Sequence, residues 1–186
     1  MFEVLIQKDR DLLIYLNNLG SEQWDSFWLF ITSQFNWAPL FALVIFLIFK
    51  NLGWKKGGFL FFFLILMVAF SDQFTNLIRV TFERLRPNND ISISHLLRTL
   101  IRPRSYSFTS GHATTSMAFS MFIWLFFKGS YKSIRLIFIF PLVFAYSRLY
   151  LGVHFPIDIL TGATIGAIIG CTFFNVYSLI EQKLFI

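Results

Sequence analysis

Residues 57–81 read GGFLFFFLILMVAFSDQFTNLIRVT, and this stretch decides the class of fold. It contains no charged residue before Asp72, and it is longer than the roughly 20 residues that a helix needs to cross a bilayer. Its final third places Asp72, Asn76 and Arg79 on one helical face. Because acids within a membrane rarely face lipid, we expect a spanning helix whose polar stripe steadies Arg79 from below.

The composition of the whole chain is typical of a membrane protein. Of its 186 residues, 56% are hydrophobic, 26 are phenylalanine and only 14% are charged, against roughly 25% charged residues in a soluble domain. A soluble domain of this size could not remove so much apolar surface from water. These figures exclude a disordered chain, a disulfide-rich secreted domain and almost any soluble enzyme.

Five apolar runs are long enough to span a bilayer: 24–49, 57–81, 110–127, 133–151 and 157–180. The first contains Asn36 and Pro39, so we expect it to kink or to divide into a short helix and a longer one. Before it, the apolar side chains of residues 3–19 lie opposite Lys8, Asp9 and Asp11, which is typical of a helix along the membrane surface. The predicted fold is all-α, a polytopic membrane helical bundle of about five transmembrane helices, or six if the first run divides, after an interfacial amphipathic helix over 1–23.

A single domain over 1–186 is predicted, with a transmembrane core over 24–180 and one long polar connection over 82–109. The loops 50–56 and 128–135 carry lysine or arginine and no acid, which is typical of cytoplasmic loops. This orientation puts the 82–109 loop on the outer face. The net charge of +6 is divided among short loops, so we expect no nucleic-acid partner.

Polar motifs meet at that outer face in three clusters. The first contains Arg79, Arg84, Arg86 and Pro87. Residues 79 and 86 are seven positions apart, which predicts two guanidiniums on one helical face about 10 Å apart, with Pro87 ending the helix. The second cluster, Thr109-Ser110-Gly111-His112, opens the third span, where free backbone N–H groups and a glycine form an anion cradle.

The third cluster contains Ser147-Arg148, His154 and Asp158. Pro156 fits the first turn of the fifth span, so Asp158 lies one turn into the helix and can reach back to the His154 ring. Such a carboxylate fixes the tautomer of the imidazole and leaves the other nitrogen free to attack. Several arginines beside two histidines suit a doubly charged tetrahedral oxyanion.

Together the clusters resemble the membrane type-2 phosphatidic acid phosphatases, a family that also includes lipid and prenyl-diphosphate phosphatases. The family pattern is K-x6-R-P, then P-S-G-H, then S-R-x5-H-x3-D. This chain reads Arg79-x6-Arg86-Pro87, Thr109-Ser110-Gly111-His112 and Ser147-Arg148-x5-His154-x3-Asp158, within a resemblance that covers roughly residues 57–175. Arg79 replaces a lysine and keeps its charge, while Thr109 replaces a proline and is expected to cap the helix.

This resemblance implies a phosphatase that works in two steps without a metal or another cofactor. By that analogy His154 attacks phosphorus, Asp158 orients His154, and His112 protonates the leaving oxygen and later activates water. The remaining motif residues would hold the phosphoryl oxygens, namely Arg79, Arg86, Ser110, Gly111 and Arg148.

The expected partners are membrane lipids and a lipid phosphate or diphosphate. Undecaprenyl diphosphate is our first expectation for the substrate, with the phosphates of lipid A and phosphatidylglycerophosphate as alternatives that carry the same terminal group. A different class, a non-catalytic lipid-phosphate binder or carrier, would not need His112, His154 and Asp158 together. A soluble vanadate haloperoxidase shares this pocket by resemblance but would not contain the apolar spans. Short loops favour a minimal bacterial form in the inner membrane, and the distribution of lysine and arginine predicts an active site on the outer, periplasmic face.

Three other features receive structural interpretations. Gly162, Gly166 and Gly170 form a small-residue ridge, which favours packing within the monomer over a dimer face, and the oligomeric state stays open. Arg98, Arg102 and Arg104 are predicted to be interfacial anchors. His95 has no partner at motif spacing and is predicted to be a loop residue.

Overall fold

The computed structural model describes residues 2–185, and that range contains six α-helices and no β-strand. The helices are α1 (Phe2–Asn18), α2 (Glu22–Thr32), α3 (Ala38–Phe82), α4 (Gly111–Phe127), α5 (Ile139–Tyr150) and α6 (Pro156–Leu184). Short 3-10 turns occupy Gln34–Trp37, Pro87–Asn89, Ser94–Leu96 and Lys132–Phe138. Three segments are long and apolar enough to cross a membrane, namely Gln34–Asn89, Lys132–Tyr150 and Pro156–Leu184. The predicted all-α membrane bundle is confirmed.

Helix α3 is two helices that fold back on each other at Gly53. This glycine has φ of 67°, in the left-handed region that residues with a side chain avoid. The Phe49 and Phe61 rings are 6.4 Å apart, although a straight helix would separate these residues by about 18 Å. The predicted spans 24–49 and 57–81 are thus separate helices, but the predicted loop 50–56 is reduced to a break at one residue.

The first apolar run divides as expected. Helix α2 ends at Thr32, a 3-10 turn follows, and Pro39 lies in the first turn of α3, where it costs no hydrogen bond. With 11 residues, α2 is about 17 Å long and too short to cross a bilayer core of about 30 Å. The candidate spanning segments are therefore the two halves of α3, helix α5 together with the 3-10 turn before it, and α6. The predicted span 110–127 forms α4, which has 17 residues and is not among the segments long enough to cross a membrane.

The glycine ridge packs against α4 within the monomer. A methyl group at Gly162 would lie 2.8 Å from the Ser110 carbonyl oxygen, and one at Gly170 would lie 2.6 Å from that of Ala118. Between them, Gly166 faces the carbonyl group of Thr114. Close approach of α6 to α4 brings the first turns of both helices, which carry the second and third motifs, side by side.

Helix α1 packs against the end of the bundle that carries the motifs. Asp9, Leu13 and Asn17 are buried, and the Asn17 side chain donates to the Tyr150 carbonyl oxygen (2.7 Å) and accepts from Arg98 N (2.7 Å). The apolar face points away from the protein, with Val4, Leu5, Leu12, Tyr15 and Leu19 exposed. This is the arrangement expected of an interfacial helix, except that the opposite face contacts protein through Asp9 rather than water.

We predict that Gly166→Ala lowers the free energy of unfolding by about 1–3 kcal/mol, because its methyl group collides with backbone that cannot rotate away. Thermal unfolding in detergent measures the effect. Gly58→Ala is the matched control, since a methyl group there meets no atom within 4 Å. Equal melting temperatures for the two variants would contradict the close contact between α4 and α6.

Candidate active site

The three motifs line one cavity of about 980 Å³. The motif residues that line it are Arg79, Arg86, Gly111, His112, Arg148 and His154, and its other polar lining residues are Gln34, Asp72, Gln73, Thr115 and Ser116. The rest of its wall is largely apolar and comes from both halves of α3 and from α4 and α5, including Phe41, Leu64, Val68, Phe119 and Phe140. The cavity therefore places a cluster of cations and imidazoles directly beside a surface suited to hydrocarbon.

His154 and Asp158 form the predicted pair. Pro156 begins α6, and the Asp158 carboxylate accepts from Phe155 N (2.9 Å) and lies 3.5 Å from His154 Nδ1. His154 Nε2 is 3.0 Å from Arg86 Nη1. Because a guanidinium only donates, Nε2 accepts and the ring proton is on Nδ1, facing Asp158. Burial also lowers the pKa of His154 to about 3, so the ring is neutral and Nε2 keeps its lone pair.

Arg86 reaches the site on extended chain rather than on a helix. Helix α3 ends at Phe82, Glu83 is left-handed (φ 46°), and Arg86 is extended (φ −72°, ψ 152°). The predicted shared helical face of Arg79 and Arg86 is therefore wrong, because the residue before a proline disfavours helix and the chain leaves the helix early. Arg86 is held by neutral acceptors, with Ser105 O at 2.7 Å and Val153 O at 3.0 Å.

Arg79 has the brace that the sequence predicts. Its Nη1 donates to Asn76 Oδ1 (3.3 Å), and Asn76 in turn donates to Asp72 (3.4 Å). Its Nε donates to the Thr109 carbonyl oxygen (3.1 Å). A Cβ at Gly111 would be 3.0 Å from Arg79 Nη2, so the glycine lets the guanidinium lie across the start of α4.

Thr32 at the end of α2 supports the other side of the site. Its hydroxyl accepts from Arg148 Nη1 (2.5 Å), and its carbonyl oxygen is 3.3 Å from His112 Nε2. The His112 ring also stacks on Phe144, with centroids 4.5 Å apart. Both groups are thus positioned by an element outside the three motifs.

The second motif differs from its prediction in one detail. Ser110, not Thr109, is the N-cap of α4, and its hydroxyl accepts from Ala113 N (3.4 Å). Ser110 N donates to the Asp158 carbonyl oxygen (3.1 Å), which joins the second motif to the third. Ser110 is fully buried and does not line the cavity, whereas Gly111 does.

The charges of the site are unbalanced. Among the described residues, no carboxylate is hydrogen-bonded to Arg79, Arg86 or Arg148, although Arg86 and Arg148 are only 4% and 6% exposed. By contrast, Arg10, Arg84 and Arg98 each form an ion pair with an aspartate. Like charges gathered in a buried site repel one another unless an anion joins them, and a planar guanidinium matches phosphate oxygens.

Residues 60–181 match the PAP2 superfamily, which is about two thirds of the chain. This chain belongs to the PAP2 superfamily. It is a membrane lipid phosphatase of the PAP2 type, built as a multi-pass membrane protein.

Two relatives named lipid A 4′-phosphatase are similar to this PAP2 phosphatase along most of its length. The one from Bacteroides thetaiotaomicron is 31% identical, over 99% of this chain and 83% of the relative. The one from Porphyromonas gingivalis is 28% identical, over 94% and 75%. An undecaprenyl-diphosphatase of Sulfolobus acidocaldarius is 26% identical, over 84% and 65%. The expectation of undecaprenyl diphosphate is thus not confirmed, and the relatives favour the lipid A alternative.

The fold also agrees with a solved structure. The transmembrane PAP2 type phosphatidylglycerolphosphate phosphatase of Bacillus subtilis superposes with a TM-score of 0.73 at 19% identity, over 97% of this chain and 88% of the other. At that identity the likeness concerns the fold alone.

Several residues that build the site carry no motif signal. Thr32 and Asp9 precede the motifs, and Ser105 and Ser107 lie in the polar loop. Arg84 belongs to the first cluster, but it lies at an unspecified position of the family pattern, so the sequence predicts no partner for it. Arg98, which the sequence indicates only as an interfacial anchor, also pairs with Asp25 (3.0 Å) and ties the loop to α2. Arg102, Arg104 and His95 are exposed.

We predict that Arg79→Lys lowers kcat/KM by about tenfold, or roughly 1.4 kcal/mol of transition-state stabilisation. A single ammonium cannot serve Asn76, Thr109 and the phosphoryl group at once. Arg79→Ala is expected to lose more than about a hundredfold, because it leaves the phosphoryl charge unmatched in a poorly hydrated site. Phosphate release per folded protein measures both effects. If Arg79→Ala keeps as much kcat/KM as Arg79→Lys, Arg79 is only an interfacial anchor.

Proposed function

We propose that this PAP2 phosphatase removes a phosphate from a phosphorylated glycolipid of the lipid A type, through a phosphohistidine at His154. The observation that carries this proposal is the convergence of Arg79, Arg86 and Arg148 on the cavity that also contains His154, with no carboxylate of the described chain hydrogen-bonded to these arginines. Such a site is incomplete until a multiply charged anion fills it. The reactive His154 lone pair in the same site favours catalysis over binding alone.

The chemistry follows from the positions of the side chains. His154 Nε2 attacks phosphorus and the bond to the lipid oxygen breaks, while Asp158 stabilises the positive charge that develops on the ring. His112 gives the lipid oxygen its proton and then takes a proton from water, which releases phosphate and restores His154. The three arginines and the amide of Gly111, with Ser110 holding the start of α4, stabilise the oxygens of the phosphoryl group.

The cavity favours a lipid with polar groups next to its phosphate. Its wall includes Asp72, Gln73 and Gln34 among the apolar side chains. A prenyl chain has no hydrogen-bond donor for these groups, so binding it there would leave a carboxylate and two amides poorly solvated. Sugar hydroxyls supply such donors, and the apolar wall suits acyl chains. The names of two relatives, lipid A 4′-phosphatase, support the same substrate class.

We place the enzyme in the bacterial cytoplasmic membrane with its active site on the outer face. Lys56 pairs with Glu181 (2.8 Å) near the C-terminal end of α6, about 35 Å along the helix from Asp158. The basic, acid-free segments 50–56 and 128–135 lie at helix ends away from the motifs. An excess of lysine and arginine is typical of the cytoplasmic side, which supports an outward-facing site.

We predict that His154→Ala abolishes turnover, because the nucleophile is lost. The variant should still insert into the membrane and should have the melting temperature of the native protein. Asp158→Asn should retain a small residual activity, lower by about a thousandfold, since the nucleophile survives without its orienting charge. Phosphate release and acid-labile labelling of the protein measure these effects. Normal turnover by the His154 variant would refute the mechanism.

A lipid panel tests the substrate. With excess chelator present, we expect purified enzyme to release phosphate from lipid A with a kcat/KM at least about tenfold higher than from undecaprenyl diphosphate or phosphatidylglycerophosphate. Asp72→Ala should reduce the ratio of kcat/KM for lipid A to kcat/KM for the other lipids, because it removes the carboxylate that is proposed to accept from a sugar hydroxyl. A preference for undecaprenyl diphosphate would overturn the substrate, and activity that needs added magnesium would overturn the metal-free mechanism. Binding of every lipid without turnover would favour a carrier.

A further inference from the structure

We propose that Arg84 and Asp9 are positioning residues for the Asp158–His154 pair, so that the N-terminal helix takes part in catalysis. The proposal rests on the proposed function, because it assumes that His154 is the nucleophile and Asp158 its orienting acid. Neither Arg84 nor Asp9 lines the cavity, so both act through Asp158.

Asp158 is a fully buried carboxylate that needs a cation. Its side chain is 0% exposed, and His154 beside it is neutral. Arg84 supplies the charge, with Nη1 donating to Asp158 Oδ1 at 2.6 Å. The other oxygen, Oδ2, accepts from Phe155 N and Ser107 and faces His154 Nδ1. Removing one partner of a buried ion pair leaves an uncompensated charge, so the state of Asp158 depends on Arg84.

Arg84 is fixed on three sides. Its Nη2 donates to Asp9 Oδ2 at 2.7 Å, and its guanidinium carbon lies 3.8 Å from the centre of the Phe155 ring. Asp9 Oδ1 accepts from Ile157 N at 2.9 Å, in the first turn of α6. Asp9 therefore holds both the arginine and the start of the helix that carries Asp158.

The geometry gives Asp9 a specific task. A free guanidinium beside a carboxylate tends to take both of its oxygens in a bidentate pair. Asp9 occupies Nη2, so that Arg84 contacts only Oδ1 of Asp158 and leaves Oδ2 to His154. Without Asp9, Arg84 competes with the His154 ring for Oδ2. The expected defect of a variant without Asp9 is a poorly oriented His154 ring in the transition state, rather than a loss of substrate binding.

The neighbouring residue on α1 offers a matched control. Arg10 also pairs with a residue of the 82–109 loop, Asp90, at 2.8 Å. This pair is more exposed, with side chains 31% and 18% accessible against 6% for Asp9 and 0% for Asp158. Among the residues that the structure describes, its only hydrogen bond to the cavity lining is through backbone, where Asp90 N donates to the Arg86 carbonyl oxygen (3.0 Å), and neither side chain is hydrogen-bonded to Asp158. Breaking the Arg10–Asp90 side-chain pair therefore loosens the attachment of α1 and leaves the partners of Asp158 in place.

The experiment compares Asp9→Asn, Arg84→Gln and Arg84→Lys with Arg10→Gln in the full chain, using kcat, KM and the melting temperature. Asparagine at position 9 keeps an acceptor for Ile157 N, but it removes the charge and the acceptor for Arg84 Nη2. We expect Asp9→Asn to lower kcat about tenfold and Arg84→Gln about a hundredfold, with KM within about threefold of the native value. Arg84→Lys should recover at least about tenfold over Arg84→Gln, because it restores the cation. Arg10→Gln should keep kcat within about twofold.

Three outcomes would overturn the proposal: a kcat of Asp9→Asn equal to that of Arg10→Gln, equal losses for lysine and glutamine at position 84, or a loss expressed only in KM. If Asp9→Asn does not fold, the comparison of lysine with glutamine at position 84 decides the question. The His154→Ala variant separates this proposal from the proposed function. If His154→Ala is inactive and Asp9→Asn behaves as Arg10→Gln does, only the positioning role fails, whereas an active His154→Ala removes the mechanism itself.

Discussion

Repulsion among three clustered guanidiniums, two buried and one half-buried, is the constraint on which the rest of this structure depends. Within residues 2–185, no carboxylate is hydrogen-bonded to Arg79, Arg86 or Arg148, and neutral oxygens hold these three side chains instead. Had carboxylates been used, the site would already be neutral and would bind phosphate weakly. The fold therefore supplies carbonyl and hydroxyl acceptors from several separate segments.

The helix packing explains how those acceptors come within reach. Glycines on α6 let α4 approach so closely that Ser110 N bonds to the Asp158 carbonyl oxygen. This contact fixes the first turns of α4 and α6 relative to each other, and His112 and His154 lie beside them. Loop residues then complete the arrangement, with Ser105 holding Arg86 and Ser107 holding Asp158. A rigid pair of helices and a well-bonded loop together preorganise a site at which charge develops.

The segment before the family match also contributes to the site. Helix α1 presents its apolar face outward, as an interfacial helix should, and uses the opposite face to bind the end of the bundle through Asp9, Leu13 and Asn17. Helix α2 supplies Thr32 to Arg148 and His112. Segments that precede the three motifs thus contact motif residues directly.

The sequence by itself determined the membrane class, the all-α fold and six of the residues that line the cavity, namely Arg79, Arg86, Gly111, His112, Arg148 and His154. Apolar runs of bilayer length can only be helices, and motif spacing at helix starts fixes which side chains lie together locally. It also predicted the brace of Arg79, because residues 72, 76 and 79 share a face of one helix. Only the tertiary structure decided the fold-back at Gly53, the extended path of Arg86 and the partners Thr32, Ser105, Ser107, Asp9 and Arg84. Those contacts join residues up to 148 positions apart, and no local period in a sequence specifies which distant segments will meet.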